Sequence, residues 1–130
     1  MHVKMMSPIP PEARTHILVV EDEFLVRMML SDILREAGYS VTEAECGDQA
    51  LKILSEELPD LIITDVRMPG ECDGLQLVDK VRATNSALPI IVTSAHLVQI
   101  SELHEGPTHF LSKPYDFDTV INLVAAELKA

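Results

Sequence analysis

The sequence contains no tryptophan, only two cysteines and no apolar run near the ~20 residues that a membrane-spanning helix needs. Cys46 and Cys72 lack the spacing of a metal-binding motif, so we expect two reduced thiols in a cytoplasmic protein. Basic residues are also scarce, because 10 Lys and Arg face 21 Asp and Glu, for a net charge of −11. These shortages argue against membrane insertion and against direct nucleic-acid binding, which requires a basic face.

The composition is that of a globular protein, with 47% hydrophobic and 24% charged residues in a chain of 130. Residues 1–14 are polar, carry three prolines and lack the apolar segment of a secretory signal. We expect them to form a flexible tail. Residues 15–130 are enough for one domain, and we expect no second one.

Short apolar runs alternate five times with segments of helical periodicity. The predicted strands cover residues 16–20, 41–45, 61–65, 90–94 and 109–112. The predicted helices cover residues 23–37, 48–58, 74–83, 96–104 and 117–128. We expect Gly38 to end the first helix, Leu58 to face inward at the end of the second, and Asp116 to cap the last. This alternation predicts a doubly wound, flavodoxin-like α/β fold with a five-stranded parallel sheet in the order 2-1-3-4-5. We expect five helices, of which the fourth is short.

Polar side chains follow four of the predicted strands, at the point where each strand ends. Glu21 and Asp22 follow the first strand, Asp65 the third, Ser94 the fourth and Lys113 the fifth. Ligands bind at this edge of a parallel sheet, so we expect these side chains to converge. Each has an ordinary explanation alone, such as a helix cap or a surface lysine, but together they indicate a site.

Three clustered carboxylates repel one another unless a cation neutralises them, and a small, partly hydrated oxygen site suits Mg²⁺. With the ion bound, Asp65 can stay ionised and act as a nucleophile on phosphorus. Mg²⁺, Lys113 and the Ser94 hydroxyl can each stabilise one oxygen of the transferred group. A cis peptide bond between Lys113 and Pro114 would direct the lysine inward.

Over residues 15–129 the chain resembles the receiver domain of two-component response regulators, of the chemotaxis-regulator type. The matching segments are Val19-Val20-Glu21-Asp22-Glu23, Asp65 with Met68-Pro69, Asp73-Gly74, Ser94-Ala95 and Lys113-Pro114-Tyr115. The resemblance implies a receiver domain over residues 15–130, in which Asp65 accepts a phosphoryl group from a sensor histidine kinase or a histidine phosphotransfer protein. The chain would then signal through an unknown downstream protein.

The resemblance also implies roles for the other residues. Asp22, Asp65 and the backbone carbonyl of Arg67 would bind Mg²⁺ directly, and Glu21 would act through water. Ser94 and Lys113 would contact the phosphoryl oxygens.

We have two further hypotheses, one about the conformational switch and one about the rate of phosphate loss, and each concerns a pair of residues. Ser94 would move towards the phosphoryl group and vacate space that Phe110 can fill, which would make these two residues the switch. Arg67 and His96 lie two residues after Asp65 and Ser94, beside the route by which water reaches the acyl phosphate. We expect them to set the lifetime of the phosphorylated form. Arg67 would contact the phosphoryl group or shield it from that water, and so lengthen the lifetime.

Several functions are compatible with this pattern. A phosphoacceptor module that catalyses only its own phosphorylation and dephosphorylation is the first, and a phosphate-shuttling intermediate in a phosphorelay is its closest alternative. An aspartate-nucleophile phosphohydrolase is disfavoured, because that class needs a second acid two residues after the nucleophile, where Arg67 stands. A phosphate-independent interaction module would have lost an acid or the lysine, and all are present.

Overall fold

Five strands of five residues each form one parallel sheet. They are β1 (His16–Val20), β2 (Ser40–Ala44), β3 (Leu61–Asp65), β4 (Ile90–Ser94) and β5 (Thr108–Ser112). The computed structural model describes residues 14–67, 73–95 and 107–129. The strand order is β2-β1-β3-β4-β5, which confirms the predicted flavodoxin-like topology.

The described part of the chain contains four helices. They are α1 (Phe24–Glu36), α2 (Gly47–Leu54), α3 (Gly74–Thr84) and α4 (Phe117–Lys129). The short helix expected over residues 96–104 lies outside the described residues, as does nearly all of the expected tail. No described helix is long and apolar enough to cross a membrane.

The three central strands of the sheet are buried because helices cover both of its faces. Alternate residues of β1 point in opposite directions, so Ile17 and Val19 pack on one side and Leu18 and Val20 on the other. The first side receives residues of α1 and α4, and the second receives residues of α2 and α3. Every residue of β3 and β4 is buried, which explains why each strand begins with three consecutive apolar residues.

Two helix boundaries follow from recognisable signals. After α1, Gly38 adopts φ 104°, and the N–H groups of Gly38 and Tyr39 donate to the carbonyls of Arg35 and Leu34. This is the glycine stop that the sequence predicted. At the start of α4, the Asp116 carboxylate accepts a 2.7 Å hydrogen bond from the Thr119 N–H, so Asp116 is a cap as predicted.

The predicted end of the second helix was wrong. The sequence pattern extended it to residue 58 with Leu58 facing inward, whereas α2 ends at Leu54 and Leu58 is 59% exposed. Pro59 explains why Leu58 lies outside the helix, because a residue that precedes proline is disfavoured in the helical region. The hydroxyl of Ser55 donates to the Lys52 carbonyl and satisfies one acceptor of the last turn.

Candidate functional site

Three carboxylates converge at the edge of the sheet where β1 and β3 end. One carboxylate oxygen from each of Glu21, Asp22 and Asp65 lies within 4.8 Å of the others. Glu21 is 3% exposed and Asp65 is 8% exposed, whereas Asp22 is exposed to solvent. The site therefore combines two desolvated acids with one that solvent reaches.

Lys113 lies between two of these acids. Its Nζ atom is 3.0 Å from Asp65 Oδ2 and 3.1 Å from Glu21 Oε1. Its backbone N–H donates to the Ser94 carbonyl at 2.7 Å, and the Lys113–Pro114 peptide bond is cis, as hypothesised. Burial alone would lower the pKa of Lys113, but its hydrogen bonds to Asp65 and Glu21 raise it, so the ammonium is charged at neutral pH.

The cluster retains an excess of negative charge. Burial raises the pKa of Glu21, although the Glu23 N–H donates to its carboxylate at 3.1 Å and favours the ionised form. One lysine faces three carboxylates, so two negative charges are left uncompensated when all three are ionised. Closely spaced carboxylate oxygens with this charge suit a hard divalent cation, and the residues present fit Mg²⁺.

A cleft of about 270 Å³ lies over the acids. Asp22, Asp65, Arg67, Ser94 and Lys113 are among the residues that line it. Ser94 is 2% exposed, and Arg67 is exposed while its backbone N–H lies 3.4 Å from Asp65 Oδ1. The structure thus brings these five predicted site residues to one cleft.

Two predicted residues, Phe110 and His96, are not among the described residues that line the cleft. Phe110 is partly buried and packs against the core cluster on the side of α2 and α3. His96 lies outside the described residues, so its predicted role near the cleft stays a prediction.

The start of α3 packs directly on the backbone that carries Asp65. The Gly74 N–H donates to the Val66 carbonyl at 2.8 Å, and a Cβ atom added to Gly74 would lie 2.0 Å from the Asp65 carbonyl oxygen. The side chains of Asp73 and Gln76 cap this helix reciprocally. The sequence pattern identified Gly74 only as a helix start, because no local signal reveals that close approach.

Tyr115 is a second residue whose place near the acids the sequence pattern did not predict. Its ring packs edge to face against Phe117, with 6.3 Å between the ring centroids. The hydroxyl is buried and has no hydrogen-bond partner in the described part of the chain. Burial, with the neighbouring negative charge of Glu21, raises the pKa of Tyr115 to about 12.

An apolar surface borders the cleft. On α1, Phe24 and Leu25 are each 62% exposed, and Met29 is 48% exposed. Met29 also lines a cavity of about 400 Å³, together with Val26, Pro114, Tyr115 and Phe117, and this cavity shares Lys113 with the cleft. Large exposed apolar side chains that are contiguous with a functional cleft are typical of a binding surface.

Comparisons with known proteins give a consistent result. The family model described as the response regulator receiver domain matches residues 17–125. The chain is 35% identical over 109 residues to the DNA-binding transcriptional regulator NtrC of Klebsiella pneumoniae, covering 82% of this chain but 23% of that protein. It is 31% identical over 112 residues to sporulation initiation phosphotransferase F of Bacillus subtilis, covering 83% of this chain and 89% of that protein.

A solved structure shows the same similarity. The response regulator protein TrrA of Thermotoga maritima, in complex with Mg²⁺ and BeF, superposes with a TM-score of 0.75 at 30% identity. The match covers 87% of this chain and 98% of that one. The chain spans about a quarter of the length of NtrC, so the similarity to that regulator concerns its receiver part alone.

Proposed function

Because this chain belongs to the family of response regulator receiver domains, the phosphoacceptor signalling modules of two-component systems, we propose that Asp65 is its phosphoacceptor. The receiver domain in this proposal occupies residues 15–130. One observation carries the assignment: Asp65 ends a buried central strand and shares its site with Glu21, Asp22 and the Lys113 ammonium. Within the described residues, this is the one group of three acids or other ligands close enough to share a metal ion.

Glu21, Asp22 and Asp65 would hold Mg²⁺, together with the backbone carbonyl of Arg67. TrrA was solved with Mg²⁺ and BeF, which supports this choice of ion for a similar protein. The ion supplies positive charge that offsets the excess of carboxylates and of phosphoryl oxygens.

The chain's own residues perform the transfer. An oxygen of the Asp65 carboxylate attacks phosphorus, the new O–P bond forms, and the P–N bond of the donor phosphohistidine breaks with its electron pair left on the imidazole nitrogen. Lys113 holds the carboxylate through a 3.0 Å hydrogen bond and donates to a phosphoryl oxygen as charge develops. The Ser94 hydroxyl donates to another oxygen. The only other reaction we assign to the chain is hydrolysis of its own aspartyl phosphate, in which water attacks phosphorus, the O–P bond to Asp65 breaks, and the carboxylate and inorganic phosphate are released.

The phosphodonor would be a sensor histidine kinase or a histidine phosphotransfer protein, and the exposed face of α1 is the surface we assign to it. The donor histidine must come within bonding distance of Asp65. Met29 lines the cavity that shares Glu23, Ala95 and Lys113 with the cleft over Asp65. Phe24 and Leu25 are exposed on the same helix. The exposed acids Asp22 and Glu23 precede this face, so a donor with an apolar contact surface and a basic rim fits it.

Phosphorylation would add roughly two negative charges at Asp65, and a switch formed by Ser94 and Phe110 would transmit the change. Phe110 lies in β5 and is only partly buried, and it would turn inward into the space that Ser94 vacates on moving towards the phosphoryl group. The downstream recipient would be a protein. A structure bound to a phosphoryl mimic in which both side chains keep their present positions would contradict this switch.

A shuttle role within a phosphorelay is the second candidate. It is favoured by the similarity to phosphotransferase F, because that match extends over 89% of the relative. Back-transfer separates the two roles: a shuttle returns its phosphoryl group to a histidine phosphotransfer protein within the assay, whereas an effector retains it and binds a partner.

The direct test uses intact-mass spectrometry after incubation with Mg²⁺ and acetyl phosphate. We expect an adduct of roughly 80 Da, the mass of one phosphoryl group. Asp65→Asn should abolish it. Asp60→Asn is the matched control, because Asp60 adjoins the opposite end of β3 and its carboxylate accepts a 2.8 Å hydrogen bond from the His16 N–H. A wild-type adduct that persists in Asp65→Asn would refute the assignment.

A further inference from the structure

We propose that Arg27 is a positioning residue that fixes the loop carrying Glu21 and Asp22 for cation binding. The inference rests on the cation site of the proposed function. Arg27 lies on α1 and is 8% exposed, although arginine is among the residues least often buried. Its Nη1 atom donates to the Glu21 carbonyl oxygen at 2.8 Å, in a buried hydrogen bond.

The loop after β1 is held through its backbone. The Glu21 N–H donates to the Ala44 carbonyl at 3.0 Å, and the Glu21 carbonyl accepts from Arg27. A peptide unit is planar, so fixing the direction of the Glu21 carbonyl also fixes the bond that leads to Asp22. Arg27 therefore controls how Asp22, an exposed acid without a packed environment of its own, is presented to the other two carboxylates.

The guanidinium is itself fixed on its other sides. Its Nε atom lies 3.3 Å from Glu43 Oε1, and its Nη2 atom lies 4.0 Å from Glu45 Oε2. The guanidinium carbon lies 5.6 Å from the centroid of the Phe24 ring. A planar, forked group can satisfy these contacts and the Glu21 carbonyl together, which a single ammonium cannot do. These contacts thus hold the acidic loop, which carries Glu21 and Asp22, in place against β2.

The alternative is that Arg27 only attaches α1 to β2. Arg35 provides the comparison, because it lies on the same helix and pairs with the same Glu43 carboxylate, at 3.2 Å, while donating to the Val41 carbonyl at 3.2 Å. No contact of Arg35 in the described residues reaches the acidic loop. Glu43→Gln is a second comparison, since it removes the carboxylate charge beside Arg27 but keeps an amide oxygen that can accept from Arg27 Nε, and it leaves the hydrogen bond to Glu21.

The experiment measures Mg²⁺ binding to the unphosphorylated protein by isothermal titration calorimetry, with urea unfolding of each variant in parallel. Arg27→Met should weaken Mg²⁺ binding about tenfold or more, as expected for loss of a group that orients a metal ligand. Arg27→Lys should recover part of that loss, because an ammonium can still donate to one carbonyl. Arg35→Met and Glu43→Gln should stay within about twofold of wild type.

A second readout uses phosphorylation by acetyl phosphate. Saturating Mg²⁺ should restore the initial rate of Arg27→Met towards that of wild type, because the defect lies in holding the ion. Should Arg27→Met fail to fold, Arg27→Lys takes its place in both measurements, with an expected affinity between wild type and a tenfold loss.

Two results would overturn the role of Arg27 alone. One is wild-type Mg²⁺ affinity in a folded Arg27→Met or Arg27→Lys. The other is a loss of Mg²⁺ affinity that is proportional to the loss of unfolding free energy, with the same proportionality in the Arg27, Arg35 and Glu43 variants. Absence of Mg²⁺ binding in the wild type would instead refute the cation site of the proposed function, and the role of Arg27 with it.

Discussion

Replacing Gly74 by alanine is the substitution that most directly probes how α3 supports Asp65. The added Cβ would lie 2.0 Å from the Asp65 carbonyl oxygen and 2.8 Å from both the Asp65 carbonyl carbon and the Val66 Cα. Because even close C···O contacts in proteins span about 3.3 Å, α3 and the end of β3 must separate by roughly 1 Å. All three atoms belong to the backbone, so no side chain can rotate to relieve the overlap.

The expected loss of stability follows from two opposing terms. Overpacking against a rigid backbone costs about 3 kcal/mol, at the upper end of the usual range. The higher helix propensity of alanine returns up to about 1 kcal/mol. We therefore expect the free energy of unfolding to fall by about 2 kcal/mol, measured by urea denaturation.

The displacement of Asp65 should also slow its phosphorylation, and Gly38→Ala is the control that separates the two effects. Gly38 has φ 104°, and no atom lies within 4 Å of the position that an added methyl group would occupy. This variant therefore costs backbone strain of about 1–2 kcal/mol without a steric clash. It should lose stability yet accept phosphate at the wild-type rate. A Gly74→Ala protein with wild-type stability and wild-type phosphorylation would refute the reasoning.

Four further substitutions test the electrostatics of the site. Lys113→Met should cut the phosphorylation rate about 100-fold, the usual effect of losing one donor to the transition state, while Mg²⁺ binding measured by calorimetry is retained or tightened. Tyr115→Phe should raise the free energy of unfolding by about 1 kcal/mol, because the buried hydroxyl has no partner in the described chain, and a loss would contradict this. Arg67→Asn should speed phosphate loss, measured as adduct decay, and an unchanged or slower rate would refute its shielding role. Without Mg²⁺, the raised pKa of Glu21 contributes to the free energy of unfolding at acid pH. The contribution is complete when the pH is below the ordinary pKa of 4.5, and it is lost as the pH rises through the folded-state pKa. Glu21→Gln should therefore reduce the pH dependence of the free energy of unfolding over this range. An unaltered pH dependence would exclude Glu21 as its source.

Much of the fold was predictable because its signals are local. Apolar runs such as Ile62 and Ile63 in β3 are buried on both faces, and their alternation with helical segments restricts the sheet to few topologies. The end of α2 was misjudged because the apolar spacing continued to Leu58, a residue that Pro59 disfavours in the helical region.

The site was predictable to the extent that topology determines it. Parallel strands deliver the residues after their carboxyl ends to one edge, so the order of the strands alone brings Glu21, Asp65 and Lys113 together. The contacts of Arg27 and Gly74 could not be predicted in this way. They depend on how α1 and α3 lie against particular backbone carbonyls, and neither residue stands in a spacing pattern that reveals such a contact.

Locating the phosphorylated residue tests the central claim most directly. Borohydride reduces an aspartyl phosphate to homoserine, so peptide mapping after treatment with Mg²⁺, acetyl phosphate and borohydride identifies the acceptor. We expect homoserine at position 65, dependent on Mg²⁺, with Asp22 and Asp73 unchanged. Homoserine at another aspartate, or a phosphoryl group found on His16 or His109 instead, would contradict the account.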